Sequence, residues 1–178
     1  MTTKQLTESS TAPCAGRCTE LIEVMREQEQ ICIRLLELSA TERASVLQGR
    51  VDLLEKATRD KGGLMEQMER LEQMRRGIAL NLAVRLGLPT DASLVSLACR
   101  LGGQEGEELL EIRRRVAESV AKLKESNENN LLLMRKSLET VRDSLRQLRH
   151  AIASGDTYTR SGRQHFAVEG TLAVDCHV

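Results

Sequence analysis

The 178-residue chain carries 26 basic and 26 acidic side chains and is neutral overall, which argues against nucleic acid or an anionic membrane as its main partner. Hydrophobic residues make up 40% of it but aromatics only 1%, so a core must be built from Leu, Val, Ile, Met and Ala, which suits seams between helices. No apolar run of about 18 residues occurs, so no transmembrane helix is expected, and the polar N-terminus lacks the apolar stretch of a secretory signal, which places the protein in the cytoplasm.

Residues 1–16 are rich in Thr, Ser and Gln, with Pro13 and Gly16 near their end, and read as a disordered lead. A first helix is expected from about Thr19 to Ser39, with Leu21, Met25, Cys32, Leu35 and Leu36 on one face. Ser39-Ala40-Thr41-Glu42 supplies turn and cap residues without Gly or Pro, a weak boundary. A second helix is expected from about Ala44 to Leu86. Leu47, Leu54, Met68 and Leu82 occupy one seam position, and Ala57, Leu64, Leu71 and Ile78 the other. Lys61 and Arg75 fall on the first seam; their stems can lie along apolar surface with the charge in water. Gly62-Gly63 weakens this helix by about 1 kcal/mol per Gly relative to Ala, but the heptad phase continues across it, so one helix is expected.

Arg85, Gly87 and Pro89 end the second helix: a cation in the last turn, a residue suited to the left-handed position, then a residue that cannot continue. Thr90 or Asp91 can cap a short helix with Leu94, Leu97, Ala98 and Leu101 on one face; Cys99 is expected to pack. Gly102-Gly103 ends it. The third long helix runs from Glu105 to about Ile152, on the order of 70 Å at the usual rise. Leu109, Val116, Val120 and Leu123, then Met134, Leu138, Val141, Leu145, Leu148 and Ile152, recur near the coiled-coil spacing. Glu111–Arg115 and Glu118–Lys122 are set four apart with Glu first, and Glu139–Arg142 three apart. Asn127 and Asn130 stand where the seam expects apolar side chains, and after them the phase slips as in a stutter. Buried Asn can fix register in a bundle; a weakened step can also let one half of the helix take another partner.

Past Ile152 the composition turns polar, without sustained period, and the chain's two aromatics, Tyr158 and Phe166, both lie there. Tyr is enriched at binding hot spots, so this flexible tail can present anchors. The five cysteines, Cys14, Cys18, Cys32, Cys99 and Cys176, are odd in number and irregular in spacing, which indicates no disulfide framework. Cys14 and Cys18 form half of a metal set with nothing nearby to complete it, so no structural metal and no cofactor are expected. No phosphate loop, nucleophile elbow or His-Glu metal helix occurs, and His150 is explained by the dipole at a helix end. The chain does not read as an enzyme.

Taken together, the pieces resemble the FlgN family of flagellar export chaperones over about Leu21 to Gly162. Four features carry the likeness: a first helix followed by a long segment ending in Leu86-Gly87-Leu88, the short Leu94–Leu101 helix, Asn127-x-x-Asn130-Leu131-Leu132, and Tyr158-x-x-x-Gly162. The resemblance implies a cytoplasmic chaperone that binds hook-filament junction (hook-associated) proteins, prevents their premature assembly and delivers them to the flagellar type III export gate. It implies a partner surface in the C-terminal part, here Asn127, Asn130, Leu131, Met134, Leu138, Val141, Leu145, Leu148 and Ile152, and gate docking through Tyr158. The expected architecture is all-α: long antiparallel helices in a coiled-coil-like bundle (17–153), one short connecting helix and a tail (154–178). The rival reading is a structural or adaptor coiled-coil homodimer with no export role; it explains the heptads, but not the short helix, the Asn step and the aromatic tail as a set.

Overall fold

The computed structural model describes residues 12–153, which form four helices and, among these residues, no strand: α1 (Ala12–Gln48), α2 (Val51–Arg85), α3 (Leu94–Leu101) and α4 (Gly103–Ala153). The all-α bundle expected from the sequence is what forms. The chain divides into two units, Met1–Leu133 and Met134–Val178. The first holds α1, α2, α3 and the beginning of α4. The described part of the second is helical throughout.

The α1–α2 turn lies at Gly49-Arg50, not at Ser39–Glu42. Ser39, Thr41 and Ser45 are cap-type residues, yet their hydroxyls donate to carbonyls one turn back, at Leu35, Glu37 and Thr41, which keeps them inside a continuous helix. The chain stops where Gly49 takes the left-handed conformation, φ 66°. There Arg50 N donates to Ser45 O and Gly49 N to Val46 O, the paired bonds of a Schellman motif. Leu47 therefore belongs to α1, where it is exposed, and not to the α2 seam. α2 ends as expected, with the same motif at Gly87: Leu88 N to Ala83 O and Gly87 N to Val84 O. α2 is continuous through Gly62 and Gly63. At its start, α1 reaches back to Ala12, within the stretch expected as a lead; Pro13 in the first turn gives up only an N–H that has no helical partner.

The core of the first unit is aliphatic. Leu21, Leu35, Leu82, Leu97 and Leu109 are fully buried, each contributing about 1.5–3 kcal/mol by leaving water. α1 is the central element and buries more than one stripe, with Leu21, Ile22, Val24, Met25, Ile31 and Leu35 all inside. α2 runs antiparallel to α1, and the part of α4 within the first unit runs parallel to it. The side-chain links show both directions: Gln28 to Glu72 and Glu42 to Lys61 for α2, Cys18 to Glu105 and Glu29 to Arg115 for α4. On α4 the inward row is Leu109, Ile112, Val116, Ser119, Leu123, Ser126 and Asn130. Ile112 belongs to it, and Val120, expected on the seam, is exposed.

α3 turns the corner. Its N-cap is Ser93, whose Oγ accepts from Ser96 N at 3.1 Å, rather than Thr90 or Asp91. Cys99 is exposed, not packed as expected. The first turn of α4 lies directly against α3: a Cβ on Gly106 would sit 2.4 Å from the carbonyl oxygen of Ala98. Only glycine admits that approach.

Two polar layers cross the aliphatic core. In one, Glu29, buried on α1, accepts from both Nε and Nη2 of Arg115, so Arg115 serves the α1–α4 contact instead of the expected pair with Glu111. Glu111 is bound by Arg114. Nearby, Glu72 accepts from Arg75, Arg76 and Gln28; the Arg75 guanidinium foremost holds its carboxyl well below the usual range, at about 2. The other layer includes two of the candidate site residues.

Candidate partner-binding site

Asn127 and Asn130 face the bundle. Asn130, 4% exposed, donates from Nδ2 to the carbonyl oxygen of Ser39 at 2.6 Å and to Glu42 Oε2 at 3.4 Å. Asn127 Oδ1 accepts from Ser39 Oγ and from Lys61 Nζ. Lys61 also donates to Glu42 at 2.8 Å, with side-chain exposures of 17% and 8%. Lys61 therefore does not carry its charge out to water. It is the cation of a five-residue cluster joining α1, α2 and α4, and every polar atom buried among the described side chains has a partner. Of the two readings of the Asn step, this geometry is that of register fixation. The sequence signal for the cluster was Lys61 standing on a seam.

Beyond Asn130 the side chains differ. Leu131 and Leu132 are about half exposed. In the second unit Met134 is partly covered, while Leu138, Val141, Leu145 and Leu148 are each more than half exposed and Ile152 is 77% exposed. Steps of four and three from Met134 to Ile152 keep these six residues on one stripe at about 100° per residue. Single exposed apolar residues need no explanation, whereas these form a contiguous row.

The stripe has a heptad register. Leu138, Leu145 and Ile152 hold position a; Met134, Val141 and Leu148 hold position d. Its two flanks are unlike. Position e is Arg135, Arg142 and Arg149, all exposed, and none forms an ion pair among the described residues. Position g holds Ser137 and Ser144, the latter donating to its own helix at Thr140 O. Of the acidic residues of this segment, Asp143 lies opposite the stripe and pairs with Arg146, while Glu139 lies beside the arginine row, between Arg135 and Arg142 in sequence.

Tyr158 lies outside the described residues, as do Phe166, Cys176 and the tail. Among the described residues no cluster of His, Cys, Asp or Glu could hold a metal ion. Cys18 is fully buried and burial pushes its thiol up to about 11, which makes it a packing residue rather than a nucleophile. Cys32 is buried likewise. No helix among the described residues is long and apolar enough to cross a membrane.

A family model described as FlgN protein matches residues 18–165. No curated protein and no solved structure matches the chain.

Proposed function

The chain belongs to the FlgN family of flagellar export chaperones, which bind hook-associated proteins, and on that premise we propose that it holds hook-filament junction proteins in the cytoplasm through the stripe Met134–Ile152, with Leu131 just before it. The observation that carries this reading is the exposure of Leu138, Val141, Leu145 and Leu148 in one row. An amphipathic helix of a junction protein would lay its own apolar face along them. Covering a half-exposed Leu contributes on the order of 1 kcal/mol, and Met134 adapts to an uneven surface. A chaperone that masks the apolar helical end of a subunit prevents that end from assembling early.

Asn127 and Asn130 then act at the boundary of the partner surface, holding the start of α4 to α1 and α2 while the residues beyond remain free to bind. Tyr158 falls within the span of the family match and is assigned, on the family resemblance alone, to docking at the export gate. Titration calorimetry of the purified protein against hook-associated proteins of the same cell tests the reading. A saturable complex that Leu138→Ala/Leu145→Ala abolishes is expected; the absence of a complex with any of them would refute it. Tyr158→Ala is expected to keep that complex and lower export of the bound protein; unchanged export would remove Tyr158 from the proposal.

A further inference from the structure

We propose that the occupant of the Met134–Ile152 stripe is an amphipathic helix carrying Asp or Glu along one flank in heptad register, selected by Arg135, Arg142 and Arg149, and that it is not a second copy of this chain. This rests on the stripe being the partner surface, as argued above, and adds the chemistry of what it accepts.

The neutral net charge conceals a local imbalance. Residues 134–152 hold five basic side chains, Arg135, Lys136, Arg142, Arg146 and Arg149, against Glu139 and Asp143. Glu139 stands four residues after Arg135 and three before Arg142 but pairs with neither among the described residues, and Asp143 is engaged with Arg146. The three arginines that line the stripe are seven apart and exposed, where coiled-coil partners are chosen by charge. Arginine suits this work, because its planar fork meets a carboxylate with two hydrogen bonds while its stem covers apolar surface.

A second copy would not satisfy this flank. In an antiparallel pair position e meets position e, so Arg135, Arg142 and Arg149 would face their own counterparts. In a parallel pair position e meets position g, where this chain offers Ser137 and Ser144. Neither arrangement supplies a carboxylate, and the first is repulsive. A partner with acidic residues facing the row gains attraction at three points, and its other flank meets only small hydroxyls that allow close approach.

Two synthetic peptides test this on the full-length protein by fluorescence anisotropy. Both carry Leu and Ile at a and d; one has Glu at every e and g, the other Lys. The Glu peptide is expected to bind about tenfold more tightly, with the preference shrinking in high salt and reversing for Arg135→Glu/Arg142→Glu/Arg149→Glu. Equal affinities, unchanged by that triple variant but lost in Leu138→Ala/Leu145→Ala, would overturn charge selection and leave the docking face standing. Binding of neither peptide, or binding indifferent to the Leu variant, would overturn the docking face itself. A dimer in sedimentation equilibrium that Leu138→Ala/Leu145→Ala dissolves would make a second copy the occupant and refute the proposal. Preference for phosphatidylserine vesicles over the Glu peptide would refute it in favour of a membrane surface.

Discussion

The side-chain amide of Asn130 donates to the carbonyl oxygen of Ser39 at 2.6 Å, across 91 positions of sequence. Around it Ser39, Glu42, Lys61 and Asn127 complete one cluster. Only one alignment of α4 on α1 brings these groups together. A shift of one residue would strand a buried carboxamide, so the cluster sets the register of the first unit and with it the point at which the inward row of α4 ends.

Breaking the cluster from one side should therefore be expensive. Lys61→Met leaves Glu42 buried without its cation and is expected to lower unfolding stability by about 3 kcal/mol. Lys61→Met/Glu42→Met should recover most of that loss, since two apolar side chains leave no charge stranded. Denaturant melts of both variants check it; a double variant no better than the single would mean that the pair is not coupled. Asn130→Ala is expected to lose about 1–3 kcal/mol for the same kind of reason.

Glycines on α2 and α4 should respond with opposite signs. Gly106→Ala forces a methyl to 2.4 Å from a backbone oxygen of α3, which no side-chain rotation relieves; a loss of about 1–3 kcal/mol is expected. Gly62→Ala meets nothing within 4 Å and removes a flexible residue from a helix interior, so a gain of up to about 1 kcal/mol is expected. Thermal midpoints moving in the same direction for both would contradict the helix contact or the continuity of α2.

Acid should weaken the first unit partly through Glu72. Its carboxyl is held at about 2 in the folded protein by Arg75, Arg76 and Gln28, against an ordinary value of 4.5. A depressed folded value means stability that is present above the ordinary value and lost as pH falls from 4.5 toward 2. Glu72→Gln should remove that part of the acid limb while changing the slope above pH 6 little. An acid limb identical to that of the parent protein would show that Glu72 gains nothing from its arginines.

Helix count and the end of α2 were legible in the sequence because they rest on strong local chemistry: sustained apolar period, and Gly87 followed by Pro89. The α1–α2 turn was not, because Ser39, Thr41 and Ser45 advertise a cap yet close their hydrogen bonds inside the helix, while a lone Gly49 carries the turn. Val120 lies outside and Ile112 inside because the inward row follows steps of three and four from Leu109 that admit Ser119 and Ser126. The role of Lys61 is not legible in the sequence because its partners, Glu42 and Asn127, are 19 and 66 residues away, a distance no periodicity reports. The stripe from Met134 to Ile152 is legible as a pattern with few residues elsewhere in the chain to cover it, and the exposures of Leu138 to Ile152 agree with that.

The most direct test of the account compares Leu145→Ala with Leu109→Ala, one Leu 56% exposed and the other fully buried on the same helix. Denaturant unfolding and calorimetric titration with a hook-associated protein would be run on both. The account predicts that Leu109→Ala loses about 2–5 kcal/mol of stability with the affinity of the folded fraction little changed. It predicts that Leu145→Ala loses under about 0.5 kcal/mol of stability and about tenfold in affinity. A Leu145→Ala variant destabilised as much as Leu109→Ala, with affinity intact, would contradict it.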